Sequence, residues 1–272
     1  MTVREAIAAA AARLAADSDT PRLDAELLMA AALGMEREEV LLSAQERDAP
    51  EDFDALVARR AAGEPVAYIT GRRAFWTIDL AVGPGVLVPR PDTETLIEAA
   101  ASQFGTAGPR TILDLGTGSG ALLLAALDQW PEANGLGVDV SPEALEIARA
   151  NARRLGLSDR ARFRLGDWDE GVDARFDLLL CNPPYVEEGA ALPRDVAEWE
   201  PRGALFAGPD GLAAYRRLAP AVGRLLTERG IACFEIGAGQ EQAVAALFAE
   251  AGLSVSSRRD LAGHIRCLVL HT

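Results

Sequence analysis

Thr111-Ile112-Leu113-Asp114-Leu115-Gly116-Thr117-Gly118-Ser119-Gly120 is an apolar strand running into a glycine-rich turn, and a helical run over 119–130 follows it. Glycines in such a turn reach positive φ and let a ligand come close to the backbone. Gly116, Gly118 and Ala121 also satisfy the relaxed G-x-G-x-x-G/A spacing, so the loop alone leaves a dinucleotide site open. Asp139 ends the next predicted strand, 25 residues after Asp114, where a carboxylate can accept both hydroxyls of a ribose. Asp114 favours a methyl donor over a dinucleotide. A carboxylate just before the glycines is poor company for a pyrophosphate, but it suits the cationic amino-acid end of S-adenosylmethionine, reached through a water. Asp167-Trp168, after the third strand, offers an acceptor for an adenine amino group and a ring beside the base; simple packing is the other reading of Trp168.

Outward from this loop, strands and helices alternate to the C-terminus, the pattern of an α/β domain. Strands are predicted at 111–115, 135–139, 161–165, 176–181, 231–236, 253–257 and 265–270, and helices at 92–103, 119–130, 141–155, 210–227 and 240–251. Upstream, the first 65 residues read as helices only. Val3, Ile7 and Leu14 share a face; Thr20-Pro21 caps and starts a second helix that Gly34 stops; a third covers Glu36 to Gln45; a fourth runs from Pro50 to near Gly63. Phe75-Trp76-Thr77-Ile78-Asp79-Leu80 then alternates at period 2, and Val82 to Val88 follows as a turn and a second extended run, together a β-hairpin. The expected division is a helical domain over 1–72, a hairpin linker over 73–90 and a catalytic domain over 91–272. The helical bundle carries no chemistry of its own, which leaves a structural cap or a partner-binding module.

Phe176 to Cys181 reads as a buried strand ending in Asn182-Pro183-Pro184-Tyr185. Ligands of open α/β sheets lie at the carboxyl ends of the strands. Two successive prolines remove two N–H groups, so the turn presents acceptors, the Asn182 side-chain oxygen and the Pro183 carbonyl, without competing donors. Tyr185 adds a flat face. Such a turn suits a planar NH2 group, whose lone pair is delocalised until both hydrogens are held; a proline-rich stop after a strand is the bland alternative. The tetrapeptide specifies an amine acceptor and not which amine.

Composition narrows the field. The 272 residues carry 27 basic against 41 acidic side chains, a formal charge of -14, and 49% hydrophobic residues. All 27 basic residues are Arg; without lysine there is no Schiff-base chemistry and no GxxxxGK[ST] loop. The acidic balance disfavours direct nucleic-acid binding, which exchanges counterions for basic side chains. Cys181, Cys233 and Cys267 are far apart, and both His (His264, His271) lie at the end, against a metal site or a disulfide framework. No run reaches the length of a membrane span. These features point to a soluble, cytoplasmic protein.

With those motifs in hand, the chain resembles the HemK/PrmC family, which methylates the side-chain nitrogen of the glutamine in the Gly-Gly-Gln motif of class I peptide chain release factors. The resemblance rests on Gly63 to Gly71, on Pro89-Arg90-Pro91-Asp92-Thr93-Glu94, on Asp114 to Gly120, on Asn182 to Tyr185, on Glu200 to Leu205, and on Gly208 to Leu212 leading to Tyr215-Arg216. Asp79 in the hairpin and Cys181 before the Asn are minor departures. The resemblance implies a seven-stranded, doubly wound class I methyltransferase sheet with S-adenosyl-L-methionine as cofactor and no metal. It assigns Gly116, Thr117, Gly118, Ser119, Gly120, Asp139, Trp168 and Asn182 to the donor, and Asn182, Pro183, Pro184 and Tyr185 to the glutamine, with Asn182, Pro183 and Tyr185 catalytic. It also implies that the N-terminal bundle helps grip the release factor; a monomer without membrane contact is the expected state. Arg90 could wall the site or pair with an internal carboxylate. The competing readings are a ribosomal-protein glutamine methyltransferase, a nucleic-acid amino-methyltransferase, and a binding module without turnover.

Overall fold

A capping box opens the chain: Thr2 Oγ1 accepts from the Glu5 N–H at 3.3 Å, and the Glu5 carboxylate accepts from the Thr2 N–H at 2.9 Å. Helix α1 (Val3–Leu14) follows, then α2 (Pro21–Leu33), α3 (Arg37–Glu39), α4 (Phe53–Ala61) and α5 (Val66–Thr70). The computed structural model describes residues 1–272 and divides into two units: Met1–Arg72 with Leu192–Glu200, and Arg73–Ala191 with Pro201–Thr272. A simple cut after residue 72 therefore misses a short return segment, which contains α9 (Arg194–Ala197).

In the first unit, Val3, Ile7, Leu14, Leu28, Met29, Val40, Phe53 and Val57 form one buried cluster. Each fully buried side chain of this size contributes about 1.5–3 kcal/mol. Three local expectations need correction. Thr20 occupies the N-cap position of α2 without a side-chain capping bond; its hydroxyl donates to Asp24 Oδ1 at 3.1 Å instead. The third helix is α-helical only over Arg37–Glu39 and widens into a π turn at Val40–Ala44. The fourth starts at Phe53 rather than Pro50, and α5 is an additional turn of helix. A buried ion pair, Arg60 Nε to Asp24 Oδ2 at 2.7 Å, ties α4 to α2, and Arg60 also reaches Asp195 at 3.2 Å.

The second unit begins with the hairpin, and its turn falls elsewhere than expected. Strand β1 (Arg72–Phe75) pairs with β2 (Ile78–Ala81), and the turn interrupts the alternating run at Trp76-Thr77; Val82 to Val88 forms no strand. Tertiary anchors override the period-2 pattern. Trp76 sits at φ +54°, its N–H donates to Glu94 at 2.8 Å, its indole to Gln129 at 3.1 Å, and Thr77 donates to Asp128 at 2.6 Å.

The chain continues through a 3-10 turn (Pro91–Thr93), α6 (Glu94–Phe104), β3 (Thr111–Leu115), α7 (Ala121–Gln129), β4 (Asn134–Asp139), α8 (Pro142–Arg154), β5 (Ala161–Leu165) and β6 (Phe176–Cys181). After α9 come α10 (Ala213–Leu225), β7 (Leu226–Glu235), α11 (Glu241–Glu250), β8 (Ser254–Arg259) and β9 (Ile265–His271). The seven strands form one sheet in the order β5-β4-β3-β6-β7-β9-β8. Strands β3 to β7 run parallel, and β9 is antiparallel to both neighbours. This is the expected doubly wound methyltransferase sheet. Leu113 and Leu115 pack with Leu218, Val222 and Phe248 on the α10–α11 side. Asp114, between them in the strand, points the opposite way, toward α7. Strand β7 starts at Leu226, before the predicted Ile231; a register shift against β6 separates Leu226 from Ile231, and the exposed Glu228 and Arg229 between them hide the continuation from an apolar pattern.

Because the chain winds from β3 outward to β5 and then returns to β6 on the other side of β3, the strand order switches at β3 and β6. Their carboxyl ends diverge there into a crevice, the usual ligand position in such sheets.

Candidate active site

The glycine loop leaves β3 with Gly116 at φ +72°, and the Gly116 and Thr117 N–H groups both donate to the Val138 carbonyl of β4. A side chain at 116 would be strained at that φ, and its Cβ would press on the Trp168 ring at 3.3 Å. Gly118 N–H donates to Asp139 Oδ2 at 2.8 Å, and the Ser141 N–H donates to Asp139 Oδ1 at 2.9 Å. Asp139 thus organises the loop while each oxygen retains a second lone pair for a ligand.

Asp114 is placed differently from the expectation. It is 1% exposed and accepts from the Thr117 hydroxyl at 2.6 Å and the Leu123 N–H at 3.3 Å. Burial pushes its carboxyl up to about 7, opposed by those two hydrogen bonds and reinforced by the charge of Asp139. It stands behind the loop as a brace and is not on the cavity wall. Thr117 and Ser119 are likewise turned inward, 5% and 3% exposed. The Ser119 carbonyl accepts from Asn151 at 2.9 Å, and Gly120 caps α7 in a left-handed conformation. Gly137 in β4 makes room for Thr117: a Cβ there would lie 2.8 Å from the Thr117 hydroxyl.

A cavity of about 690 Å³ opens at the carboxyl ends of β3, β4, β5 and β6. Gly116, Gly118, Asp139, Trp168, Asn182 and Pro184 are on its wall, brought together as expected. Thr117, Ser119, Gly120, Pro183 and Tyr185 are not on that wall. Trp168 holds its ring beside Gly116 from a backbone at φ +53°, a strained value for an aromatic residue. The lining is mostly apolar with Asp139 and Asp167 at separate positions. A nucleoside carrying a cation fits that donor set: a carboxylate for ribose hydroxyls, an aromatic face, and no basic cluster for a pyrophosphate.

At the end of β6, Asn182 donates through Nδ2 to Thr93 Oγ1 at 3.1 Å. Its Oδ1 is therefore the polar end left for a ligand. Tyr185 donates its hydroxyl to Glu235 Oε1 at 3.1 Å, and its carbonyl accepts from Gln240 at 3.0 Å. Burial, and then the neighbouring Glu235 charge, hold the Tyr185 hydroxyl well above the usual phenol range. Glu235, at the end of β7, is 1% exposed and pushed up to about 7 by burial. Sequence patterns do not single out Thr93 and Glu235 as site residues. Thr93 lies inside the Pro-Arg-Pro-Asp-Thr-Glu segment, and Glu235 ends an apolar strand as Asp139 does, which is the signal that could have found it.

Comparison with known proteins agrees with this geometry. Residues 5–71 match the family model of the PrmC N-terminal domain, and residues 109–250 match that of a methyltransferase domain. A release factor glutamine methyltransferase of Rhodospirillum rubrum is 46% identical, with 92% of this chain and 79% of that protein aligned. One of Caulobacter vibrioides is 44% identical over 99% of this chain and 96% of the relative. Among solved structures, a Pyrococcus furiosus methyltransferase aligns with a TM-score of 0.55 at 19% identity, covering 78% of this chain and 95% of that one. A Thermus thermophilus 16S rRNA methyltransferase, solved with AdoMet and guanosine, aligns with a TM-score of 0.54 at 20% identity, covering 74% and 49%. Both structures share the fold.

Proposed function

The chain belongs to the release factor glutamine methyltransferase family, and from that premise we propose that it methylates the side-chain amide nitrogen (N5) of a release-factor glutamine. Its cofactor is S-adenosylmethionine. The acceptor is the glutamine of the Gly-Gly-Gln motif in class I peptide chain release factors. Residues 1–72 act as the partner-binding domain, 73–90 as a linker and 91–272 as the methyltransferase domain. The protein works in the cytoplasm, in translation termination, as a monomer without direct contact to nucleic acid. The charge of -14 favours a protein partner over a polyanion.

One observation carries this reading of the site: Asn182 shares a cavity wall with Gly116, Gly118 and Asp139 while its own nitrogen is turned to Thr93. Bound S-adenosylmethionine supplies a methyl group activated by a sulfonium. The chain's residues do the rest by position. Asn182 Oδ1 on the cavity wall accepts one hydrogen of the acceptor amide and the carbonyl of the adjoining Pro183, whose ring is off that wall, accepts the other, which points its nitrogen and weakens its conjugation with the carbonyl. No strong base is needed beforehand, since the amide proton becomes acidic only once the methyl group is on nitrogen. Asp139 and Trp168 hold the ribose and the base. Thr117, Ser119 and Gly120 support the donor by holding the loop.

An acceptor panel tests the assignment. The protein and S-adenosylmethionine are incubated with an unmethylated release factor, a ribosomal protein or protein-free rRNA, and released S-adenosylhomocysteine is measured. Release is expected with the release factor alone; release only with RNA or the ribosomal protein would move the substrate, and binding without release would remove the enzymatic reading.

A further inference from the structure

The mechanism above leaves a buried acid unused. Glu235 lies beneath the acceptor turn, and its Oε2 is buried without a hydrogen-bond partner. Such an oxygen is costly, and an orphaned buried acceptor in a native fold needs a reason. Thr93 stands beside the Glu235 carboxyl and favours its charged form. The Thr93 oxygen already accepts from Asn182 Nδ2. A hydroxyl has a single proton to give; that of Thr93 is not spent on Asn182 and is available to the unpartnered Glu235 Oε2, a bond not formed in this structure.

We propose that Glu235, acting through Thr93, is a positioning residue that orients the Asn182 carboxamide with Oδ1 toward the acceptor amide. The relay is directional. A carboxylate at 235 can only accept; once Thr93 donates to its open Oε2, Thr93 must accept from Asn182, and the Asn182 nitrogen is held turned away from the cavity, the orientation seen here. A protonated Glu235 can donate to Thr93; the Thr93 proton is then released toward Asn182, and the amide can turn over and present NH2 to a substrate that is itself a donor. The same carboxylate accepts from Tyr185, so both ends of the turn are held from one point. This inference rests on the reading of Asn182 as the acceptor-binding residue.

The orientation is coupled to pH, since burial brings the Glu235 carboxyl to about 7. Facing it are Thr93, Tyr185 and Arg266, which favour its charged form, and Asp92, which opposes it. Cys181 and Cys267 lie close, and the Tyr215 hydroxyl donates to the Glu235 main-chain carbonyl. The ionised, orienting form gains population as pH rises through that value.

The test is a pH series of kcat and KM for a Gly-Gly-Gln peptide, with the parent and with Glu235→Gln, Thr93→Val and Thr93→Ser. Calorimetric titration of S-adenosylhomocysteine into each gives a readout independent of turnover. The parent is expected to lose kcat as pH falls through about 7. Glu235→Gln and Thr93→Val should each lower kcat about tenfold, the effect of one well-placed hydrogen bond, and flatten that acidic limb. Affinity for S-adenosylhomocysteine should stay at the parent value, and Thr93→Ser should recover most of kcat. Parent-like kcat and an unchanged acidic limb in Glu235→Gln would overturn the proposal. Should that variant not fold, equal kcat in Thr93→Val and Thr93→Ser overturns it in the same way. Asn182→Ala separates the two layers: full activity there would remove the reading of the turn, whereas abolished transfer beside parent-like Glu235 and Thr93 variants removes only the relay.

Discussion

Asn182 and Thr93 are 89 residues apart in the chain and meet through one hydrogen bond of 3.1 Å, from the amide Nδ2 to the hydroxyl Oγ1. The bond joins the end of a central strand to the 3-10 turn that leads into α6. It decides which end of the Asn182 amide faces the cavity, and so whether the turn can hold an NH2 group.

Asn182→Ala should lower kcat about 10²-fold or more, the usual cost of removing one preorganised polar contact at a reacting centre. S-adenosylhomocysteine should bind it more tightly than it binds Asp139→Ala, which loses both the ribose acceptor and the anchor of the Gly118 N–H. Calorimetry on the two variants beside a turnover assay checks the split; equal losses of binding would show that Asn182 acts through the donor.

Gly137→Ala probes the loop from behind. The new Cβ would sit 2.8 Å from the Thr117 hydroxyl and 2.9 Å from the Phe163 ring. Overpacking of this kind costs about 1–3 kcal/mol. A lower melting temperature is expected together with weaker S-adenosylhomocysteine binding, because Thr117 braces the loop against Asp114. Parent-like melting would show that the strand yields at no cost.

Buried carboxyls give the fold a characteristic pH dependence. Asp114 is pushed up to about 7 in the folded chain, against about 4 for an unfolded aspartate. Between those values the folded chain keeps a proton that the unfolded chain has released, so stability falls as pH rises through the window and is level above it. Glu235 adds a contribution of the same sign. Asp114→Asn keeps an acceptor for Thr117 and Leu123, and thermal melts across the window should show a shallower decline than the parent. An unchanged slope would mean that Asp114 ionises freely.

In the first unit, Arg60→Ala should destabilise by about 3–5 kcal/mol, because it strands Asp24 in a buried position. Replacing both residues by apolar side chains should cost far less. A double-mutant cycle in urea measures the difference.

The catalytic sheet was legible because its signals are local. Apolar strands end in Gly116, Asp139 and Asn182, and periodicity and turn chemistry mark all three. What remained hidden depends on contacts between distant segments. Trp76 breaks an alternating run since Glu94, Gln129 and Asp128 hold the turn in place, and no pattern within Phe75–Leu80 announces those partners. Asp114 reads as a ligand for a cation, yet strand alternation aims it at α7, and only the bonds it accepts from the Thr117 hydroxyl and the Leu123 N–H show it as a brace. Glu235 passed unnoticed although it ends its strand as Asp139 does; its meaning lies in Tyr185 and Thr93, which the fold brings to it.

The most direct measurement is fragmentation mass spectrometry of an unmethylated release factor after incubation with the protein and S-adenosylmethionine. A single methyl group is expected on the side-chain nitrogen of the Gly-Gly-Gln glutamine, formed far more slowly with Asn182→Ala. A methyl group at any other residue, or an unmodified Gly-Gly-Gln peptide beside active turnover on another substrate, would contradict it.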